Sequence, residues 1–224
     1  MGFKENRRDS SLQNKQILDY IEQLIPERNE QIREIEEYAI QNEVPIMELV
    51  GIEALLQLLR IQQPKKILEV GTAIGYSALR MAEALPFSQI ITIERDEQRY
   101  LVAKENVKKL KRESQVILLQ GDALELDSAM EKHGPFDAIF IDAAKGQYQK
   151  FFNLYSQFLS DGGIVYTDNI LFHGLVASSE IESRNLRQLV RKIRNYNQWL
   201  MENEDYHTAI LPVGDGIAIS KKRG

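Results

Sequence analysis

The N-terminal part of the chain has apolar residues three or four positions apart, the period of an α-helix. After a polar stretch over 1–9, this spacing predicts a first helix that begins at Ser10 and is ended by Pro26. Sparser apolar positions predict a second helix over 27–42. A continuous apolar side predicts a third over 44–61. This part of the chain is therefore expected to be helical throughout.

After Pro64 the pattern changes to short apolar runs rich in β-branched residues. Five runs predict strands, over 65–70, 89–94, 115–120, 137–142 and 162–168. Helical spacing lies between them, over 75–85, 96–111, 123–132 and 147–160. Strands that alternate with helices indicate right-handed βαβ units and a parallel sheet. The strands are apolar on both sides, as expected where helices cover both faces of the sheet.

The C-terminal part of the chain predicts an antiparallel end to the sheet. A long polar helix over 180–202 precedes two β runs in "HTAILPVGDGIAISKK", which flank Gly214-Asp215-Gly216, a hairpin signal. We therefore predict an α/β, Rossmann-like fold with a mostly parallel seven-stranded sheet and a C-terminal hairpin. No interdomain linker is visible, which predicts one domain over 1–224, with a helical extension over 1–44 and a core over 45–224.

Composition and charge restrict the classes of function. The chain has 224 residues, no cysteine and a net charge of −5, which disfavours a thiol nucleophile and a protein that coats nucleic acid by bulk charge. Three basic runs, over 104–112, 184–194 and 221–224, are either phosphate contacts or solvated surfaces. No apolar run approaches a membrane span of about 20 residues, and no signal peptide is visible. We expect a soluble cytoplasmic protein without membrane contact.

A glycine turn follows the first strand in "ILEVGTAIGYS", where doubly wound folds bind nucleotides. The spacing Gly71-x-x-x-Gly75 differs from the dinucleotide pattern, which disfavours a pyrophosphate ligand. Acids stand near the ends of three strands, at Glu69, Glu94 and Asp122. An acid after the second strand is placed to bind ribose hydroxyls. A ligand with a ribose, an ammonium group and no phosphate fits, and S-adenosylmethionine is such a ligand. Alternatively, the glycines only form a tight turn and a close helix contact.

Further polar residues end the fourth and fifth strands. Asp142 ends one, and Asp168 and Asn169 end the other. If these strands are neighbours, two carboxylates and an amide oxygen share one crevice, a set of oxygen ligands that suits Mg²⁺. Lys145 follows Asp142 by three residues. Alternatively, these residues are turn and cap residues, which commonly follow strands.

Several segments together resemble the cation-dependent O-methyltransferases, which include the catechol and caffeoyl-CoA enzymes. They are "ILEVGTAIGYSALRMA", "ITIERD", "GDALE", "FIDAAKGQY" and "YTDNILFHGLV", and the likeness extends from about Pro45 to the C-terminal "PVGDGIAISKK". The chain looks most similar to the bacterial tRNA 5-hydroxyuridine methyltransferases, through "VPIM", "GTAIGYSA", "IDAAKGQYQ", "TDN" and "PVGDG".

The resemblance implies a class I methyltransferase fold with the following site. Mg²⁺ is expected on Asp142, Asp168 and Asn169, and the catalytic residues are expected to be Lys145 and Asp142. The S-adenosylmethionine contacts are expected at Met47, Glu69, Gly71, Ser77, Glu94, Asp122, Ala123 and Asp142. The chain departs from the catechol enzymes at Ala143-Ala144, where they carry bulkier residues that shape the pocket.

Three functions are consistent with these features. The first is Mg²⁺-dependent methylation of the 5-hydroxyl of 5-hydroxyuridine at the wobble position of the tRNA anticodon loop. The second is methylation of a small catechol or phenol of the caffeoyl type, and the third is a non-catalytic regulator or RNA-binding module. The aromatic residues Tyr148, Phe172, His173 and Tyr196 either stack on a flipped base or pack in the core. We also expect a homodimer, whose N-terminal helices cover the active site or a partner subunit.

Overall fold

The N-terminal region forms three helices in the computed structural model, which describes residues 10–224. They are α1 (Ser10–Leu24), α2 (Glu30–Gln41) and α3 (Leu49–Gln62). α2 is capped by Asn29, whose side chain accepts a hydrogen bond from the Ile32 N–H at 2.9 Å. The polar stretch over 1–9 lies outside the described part of the chain.

The prediction that the third helix begins at residue 44 is wrong, because residues 44–48 have no regular secondary structure. Pro45 lacks a backbone N–H, and its ring disfavours a helical conformation at the preceding residue. The turn at Glu43 is left-handed, with φ of 52°. The extended segment matters because it borders the candidate site described below.

Seven strands form one sheet, in the order β3-β2-β1-β4-β5-β7-β6. The strands are β1 (Lys66–Val70), β2 (Gln89–Glu94), β3 (Val116–Gln120), β4 (Phe136–Ile141), β5 (Leu159–Thr167), β6 (Tyr206–Leu211) and β7 (Ile217–Lys222). The first five are parallel, and β7 pairs antiparallel with both β5 and β6. The predicted α/β, mostly parallel seven-stranded fold with a C-terminal hairpin is confirmed.

Five further helices cover the sheet: α4 (Tyr76–Ala84), α5 (Glu97–Lys109), α6 (Asp127–Met130), α7 (Tyr148–Tyr155) and α8 (Arg184–Glu202). α6 is much shorter than the predicted helix over 123–132. The carboxylate of Asp122 accepts the Leu124 N–H at 2.9 Å, which forms a side-chain turn that competes with helix.

The predicted helix over 147–160 and the strand after it also have different boundaries. α7 ends at Tyr155, a short 3₁₀ turn covers Ser156–Phe158, and β5 already begins at Leu159. The pairing of β4 with β5 shifts between Phe136 and Ala138. This irregularity accommodates the polar, glycine-rich start of β5, "LSDGG", which lacks the apolar pattern of a strand.

Two apolar clusters sandwich the sheet. One contains Ile67, Ala138 and Phe140 of the strands with buried residues of α2, α3 and α4. The other contains Leu68, Ile139 and Ile141 with residues of α7 and α8. Alternate strand residues thus face opposite helical layers, which explains why the strands are apolar throughout. α2 packs in the same cluster as the strands, so this cluster does not separate the helical extension from the core. The division of the domain at residue 44 stays a prediction. None of the described helices is long and apolar enough to cross a membrane.

Candidate active site

The sheet order brings the ends of three strands to one place. β4 lies between β1 and β5. The Asp142 N–H donates to the Val70 carbonyl at 2.9 Å, and the Asp168 N–H donates to the Ile141 carbonyl at 3.1 Å. From β1 the chain adds β2 and β3 on one side of the sheet, and it then adds β4 and β5 on the other side. Open α/β sheets form ligand crevices at such a switch point. A cleft of about 560 Å³ opens there, at the carboxyl edge of the strands.

Gly71 lets the first loop approach the end of β4. Its φ is 103°, and a Cβ atom on it would lie 1.9 Å from the carbonyl oxygen of Asp142. Gly75 faces Ala103 of α5, where an added Cβ would be in ordinary contact at 3.4 Å. Both glycines therefore have the structural role that was the alternative prediction, a tight turn at Gly71 and a close helix contact at Gly75. The loop Gly71–Ala73 also lines the cleft.

Seven of the predicted cofactor residues line this cleft: Met47, Gly71, Ser77, Glu94, Asp122, Ala123 and Asp142. The carboxylate of Glu94 is fixed by the backbone N–H groups of Ala73 and Asp96, at 2.7 and 2.8 Å. Such fixed carboxylates on one wall are suited to bind hydroxyl and amine donors. Their contact with S-adenosylmethionine stays a prediction.

The eighth residue, Glu69, lies beneath the cleft and is fully buried. The hydroxyls of Ser77 and Thr92 each donate to its carboxylate at 2.5 Å. Burial raises the pKa of Glu69 to about 7, although these two hydrogen bonds lower it. Ser77 lies between Glu69 and the cleft, so Glu69 is placed to orient Ser77. Its direct contact with the cofactor stays a prediction.

The predicted catalytic and metal-binding residues also meet. The Lys145 ammonium donates to the amide oxygen of Asn169, and the Asn169 amide donates to the carboxylate of Asp168 at 2.8 Å. Asn169 has a left-handed φ of 58°, a conformation that Asn tolerates better than most residues. Tyr148 donates to the Asp168 carbonyl at 2.9 Å. Asp142, Lys145, Asp168 and Asn169 all line the cleft.

The two carboxyl groups of this set both have raised pKa values. Burial at the base of the cleft raises the pKa of Asp142 to about 6, although Lys145 lowers it. Burial and then the charge of Asp142 raise the pKa of Asp168 to about 7. No three His, Asp or Glu side chains form a metal-binding group within the described residues. Two carboxylates and one amide oxygen nevertheless fit a hard cation such as Mg²⁺.

The sequence analysis missed a second loop at the same edge. The His173 N–H donates to the Asp215 carboxylate, and the Leu171 N–H donates to the Asp215 carbonyl at 2.9 Å. Phe172 and His173 both have left-handed φ angles, of 47° and 53°. Asp215 and His173 line the cleft with Gly214. The signal was present in "PVGDG", which the hairpin pattern explains only as a turn.

The candidate stacking aromatics divide into two groups. Tyr148 and Tyr196 are buried, with 1% and 2% exposure, and their ring centroids are 5.4 Å apart. They belong to the core, so stacking of a substrate base on them is excluded. Phe172 and His173 remain at the surface beside the site, and the Lys145 ammonium lies 5.7 Å from the Phe172 ring centroid.

Comparison with known proteins identifies the family. A family model described as O-methyltransferase matches residues 23–223. The chain belongs to this family. It is 35% identical to a catechol O-methyltransferase of Niastella koreensis over 174 residues, which are 74% of this chain and 77% of that protein. It is 29% identical to a caffeoyl-CoA O-methyltransferase of Medicago sativa, over 95% of this chain and 91% of that protein.

Solved structures agree with this assignment. A protein of Staphylococcus aureus, described as a candidate caffeoyl-CoA O-methyltransferase, is 40% identical, covers 95% of this chain and all of its own, and has a TM-score of 0.85. An O-methyltransferase of Bacillus cereus in complex with SAH is 22% identical with a TM-score of 0.79 over 92% of this chain and 96% of its own, a likeness of fold. The chain is thus an O-methyltransferase of the family that includes the catechol and caffeoyl-CoA enzymes.

Proposed function

We propose that the enzyme transfers a methyl group from S-adenosylmethionine to the 5-hydroxyl of 5-hydroxyuridine at the wobble position of tRNA, with Mg²⁺. One observation carries this proposal. Asp142 and Lys145 from one segment and Asp168 and Asn169 from another converge at the edge of the cleft that the cofactor candidates line. A site for oxygen ligands and an ammonium group thus adjoin the place for a methyl donor.

Asp142, Asp168 and the amide oxygen of Asn169 would hold Mg²⁺. There the cation would neutralise the buried carboxylates and lower the pKa of a substrate hydroxyl. The 5-hydroxyl and the C4 carbonyl of 5-hydroxyuridine are vicinal oxygens, as are the two hydroxyls of a catechol. The same ligand set therefore suits either class of acceptor.

Lys145 is our candidate for the group that receives the proton of the acceptor hydroxyl. Its ammonium bonds to Asn169 and lies within the cleft, so it is within reach of an oxygen held at that edge. A lysine accepts this proton only in its neutral form. The bound cofactor supplies an electrophilic methyl group on its sulfonium, and the chain's contribution is to position the acceptor oxygen toward it.

Glu94 and Asp122 are our candidates for binding the nucleoside part of the cofactor. Glu94 is held rigidly at the end of β2, where it is placed to accept ribose hydroxyls. Asp122 bonds to Leu124 through one oxygen and borders the cleft, where it is placed to accept the adenine amine. Gly71, which has no side chain, lets the first loop pack directly against the backbone of Asp142.

Ala143 and Ala144 favour tRNA over a small catechol. Both line the cleft, and Ala144 is exposed. The catechol enzymes that the chain resembles carry bulkier residues at these positions, which help hold the cofactor and shape the pocket. Two methyl groups instead leave the mouth open to a base that is attached to a macromolecule. A small catechol or caffeoyl-type phenol is the second candidate, because the similar curated proteins have those names.

The experiment compares acceptors with purified enzyme, S-adenosylmethionine and Mg²⁺. We expect methylation of tRNA that contains 5-hydroxyuridine with kcat/KM at least about 100-fold above that for catechol or caffeate, a difference of roughly 3 kcal/mol in transition-state stabilisation. Asp168→Ala should abolish both reactions. Faster turnover of caffeate or catechol would reject the tRNA assignment and favour the second candidate. The non-catalytic alternative predicts no transfer to either acceptor.

We also propose that the enzyme acts in the cytoplasm, where tRNA is found, as a homodimer associated through α1. Ile17, Leu18, Ile21 and Leu24 of this helix are between 37% and 63% exposed. The cleft is lined from Pro45 onward, so α1 is available to a second copy of the chain. Ile21→Glu with Leu24→Glu should convert the dimer to a monomer in light-scattering measurements. A monomeric wild type, or a dimer that persists in the variant, would contradict this.

A further inference from the structure

α8 has an unusual distribution of charge for a protein of net charge −5. From Ser183 to Met201 its sequence contains five cations and no acid. Arg184, Arg187, Arg191 and Lys192 are exposed, and none of the four forms an ion pair with the rest of the described chain. Arg184, Arg187 and Arg191 are three and four residues apart, so they follow one side of the helix over about 10 Å.

The fifth cation has a different role. Arg194 turns back and donates to the carbonyls of Leu175, Val176 and Ser178, at 3.4 and 2.8 Å for the first two. It is therefore occupied in fixing the loop that follows Asn169. This separates one structural arginine from four cations whose charges remain available to a ligand.

One of the available cations, Lys192, lies beside the segment that carries Lys145. The Lys192 ammonium is close to Gly146, where an added Cβ would lie 3.5 Å from its nitrogen, and Gly146 follows Lys145. On the other side, Asn197 of α8 donates to the carbonyl of Ile170, the residue after Asn169, at 2.8 Å. α8 thus packs against both segments that supply the catalytic set. The cations of α8 are therefore carried on a helix that is fixed to both segments of the site.

The other two basic runs lie elsewhere. The run 104–112 includes the end of α5, which leads toward the start of β3, away from the cleft. The run 221–224 begins at Lys221, which pairs with Ile164 of β5. This position is toward the amino-terminal edge of the parallel strands, away from the cleft. Of the three runs, only the one on α8 is continuous with the site.

We propose that the basic surface of α8, formed by the row Arg184, Arg187 and Arg191 together with the adjacent Lys192, binds the phosphate backbone of the tRNA beside the modified base. This rests on the proposed function, because a phosphodiester chain is the anionic partner that a tRNA acceptor brings to this mouth. Binding by such contacts is sequence-independent and weakens steeply with salt, because bound cations are released. The cleft recognises the base itself, and the basic surface supplies affinity for the tRNA and orients it.

The test is the triple variant Arg184→Gln, Arg187→Gln and Arg191→Gln, which removes three charges and retains helix-favouring side chains. Lys104→Gln, Lys108→Gln and Lys111→Gln is the matched control, since these exposed residues carry the same charge on α5 and its end. A third variant replaces the three arginines with lysine. tRNA binding is measured by fluorescence anisotropy over a series of salt concentrations, and kcat and KM are measured with tRNA and with free 5-hydroxyuridine.

We expect the glutamine variant to weaken tRNA binding about tenfold or more and to reduce the slope of log affinity against log salt by about 2, since each lost phosphate contact removes about 0.7. The control should bind within about twofold of wild type, and the lysine variant should restore most of the affinity, because phosphate contacts depend mainly on charge. KM for tRNA should rise, while kcat with the free nucleoside changes little.

Equal tRNA binding by the glutamine variant and wild type would overturn the proposal, as would an equal loss in the control, which would indicate bulk charge. Absence of tRNA binding by wild type, or preferential binding to anionic lipid vesicles, would also overturn it. The proposed function fails separately: tRNA that binds through α8 but is not methylated would reject the substrate and keep the surface. If tRNA is methylated but the glutamine variant binds it normally, the proposed surface is rejected and the proposed substrate is kept.

Discussion

Glu69 offers a quantitative test of the structure beneath the cleft. It is fully buried, and its pKa is raised from 4.5 to about 7, mainly by burial. A raised carboxyl pKa means that the folded protein holds this proton more tightly than the unfolded chain does. The free energy of unfolding therefore falls as the pH rises from about 4.5 to about 7. One pKa unit is worth about 1.4 kcal/mol, so the charged Glu69 costs about 3 kcal/mol at about pH 8.

Glu69→Gln removes this charge and keeps the shape. The amide can accept from one of the hydroxyls of Ser77 and Thr92 and donate to the other, much as the protonated acid does. We expect the variant to match wild type at about pH 4 and to be more stable by about 3 kcal/mol at about pH 8. Asp142 and Asp168, whose pKa values are also raised, remain in both proteins, so the difference isolates Glu69.

The assay is urea unfolding of wild type and Glu69→Gln, without cofactor and with a chelator, at several pH values across this range. A stability difference that does not change with pH would refute the inference that Glu69 is buried in an unfavourable charged state. A variant that is less stable at high pH would show instead that the ionised carboxylate stabilises the fold.

Three further substitutions test the chemistry of the site, its glycine loop and an ion pair between α3 and α4. Lys145→Met should lower kcat about 100-fold or more by removing a proton acceptor and leave the dissociation constant for S-adenosylmethionine unchanged in calorimetry; an unchanged kcat would exclude Lys145 from the chemistry. Gly71→Ala should lower the free energy of unfolding by about 3 kcal/mol, because its Cβ would lie 1.9 Å from the Asp142 carbonyl oxygen; wild-type stability in urea would contradict that contact. Arg80→Met should cost about 3 kcal/mol, since it leaves the half-buried Glu53 without its ion-pair partner; a loss below about 0.5 kcal/mol would place that pair among weak surface contacts.

The fold could be predicted from sequence where periodicity and turn chemistry agree. The apolar runs of β1, β2 and β4 admit little but buried parallel strands, and the glycine pair at 214 and 216 marks the final hairpin. Periodicity failed at 44–48, where apolar residues beside Pro45 form an extended wall of the cleft. It also failed at the start of β5, where the strand tolerates "SDGG" because of its irregular pairing.

From residue positions alone, the site could be predicted only where a residue ends a strand, whereas Met47, Ser77 and Lys145 were predicted from the family resemblance. Asp142, Asp168 and Asn169 follow from their positions once β4 and β5 are neighbours, and the structure shows that they are. Asp215 could not be predicted in this way, because its role depends on contacts with a loop some 40 positions earlier, as its bond to His173 shows. The position of Glu69 beneath the cleft likewise depends on the side-chain direction within β1.

The central claim is that this site methylates 5-hydroxyuridine in tRNA, and nucleoside mass spectrometry of cellular tRNA tests it most directly. A deletion strain is complemented with wild type or with Asp168→Ala, which removes one proposed metal ligand. We predict that 5-methoxyuridine-type nucleosides disappear on deletion, that 5-hydroxyuridine accumulates, and that only wild type restores the methylated form. Unchanged levels of 5-methoxyuridine-type nucleosides in the deletion strain would contradict the account.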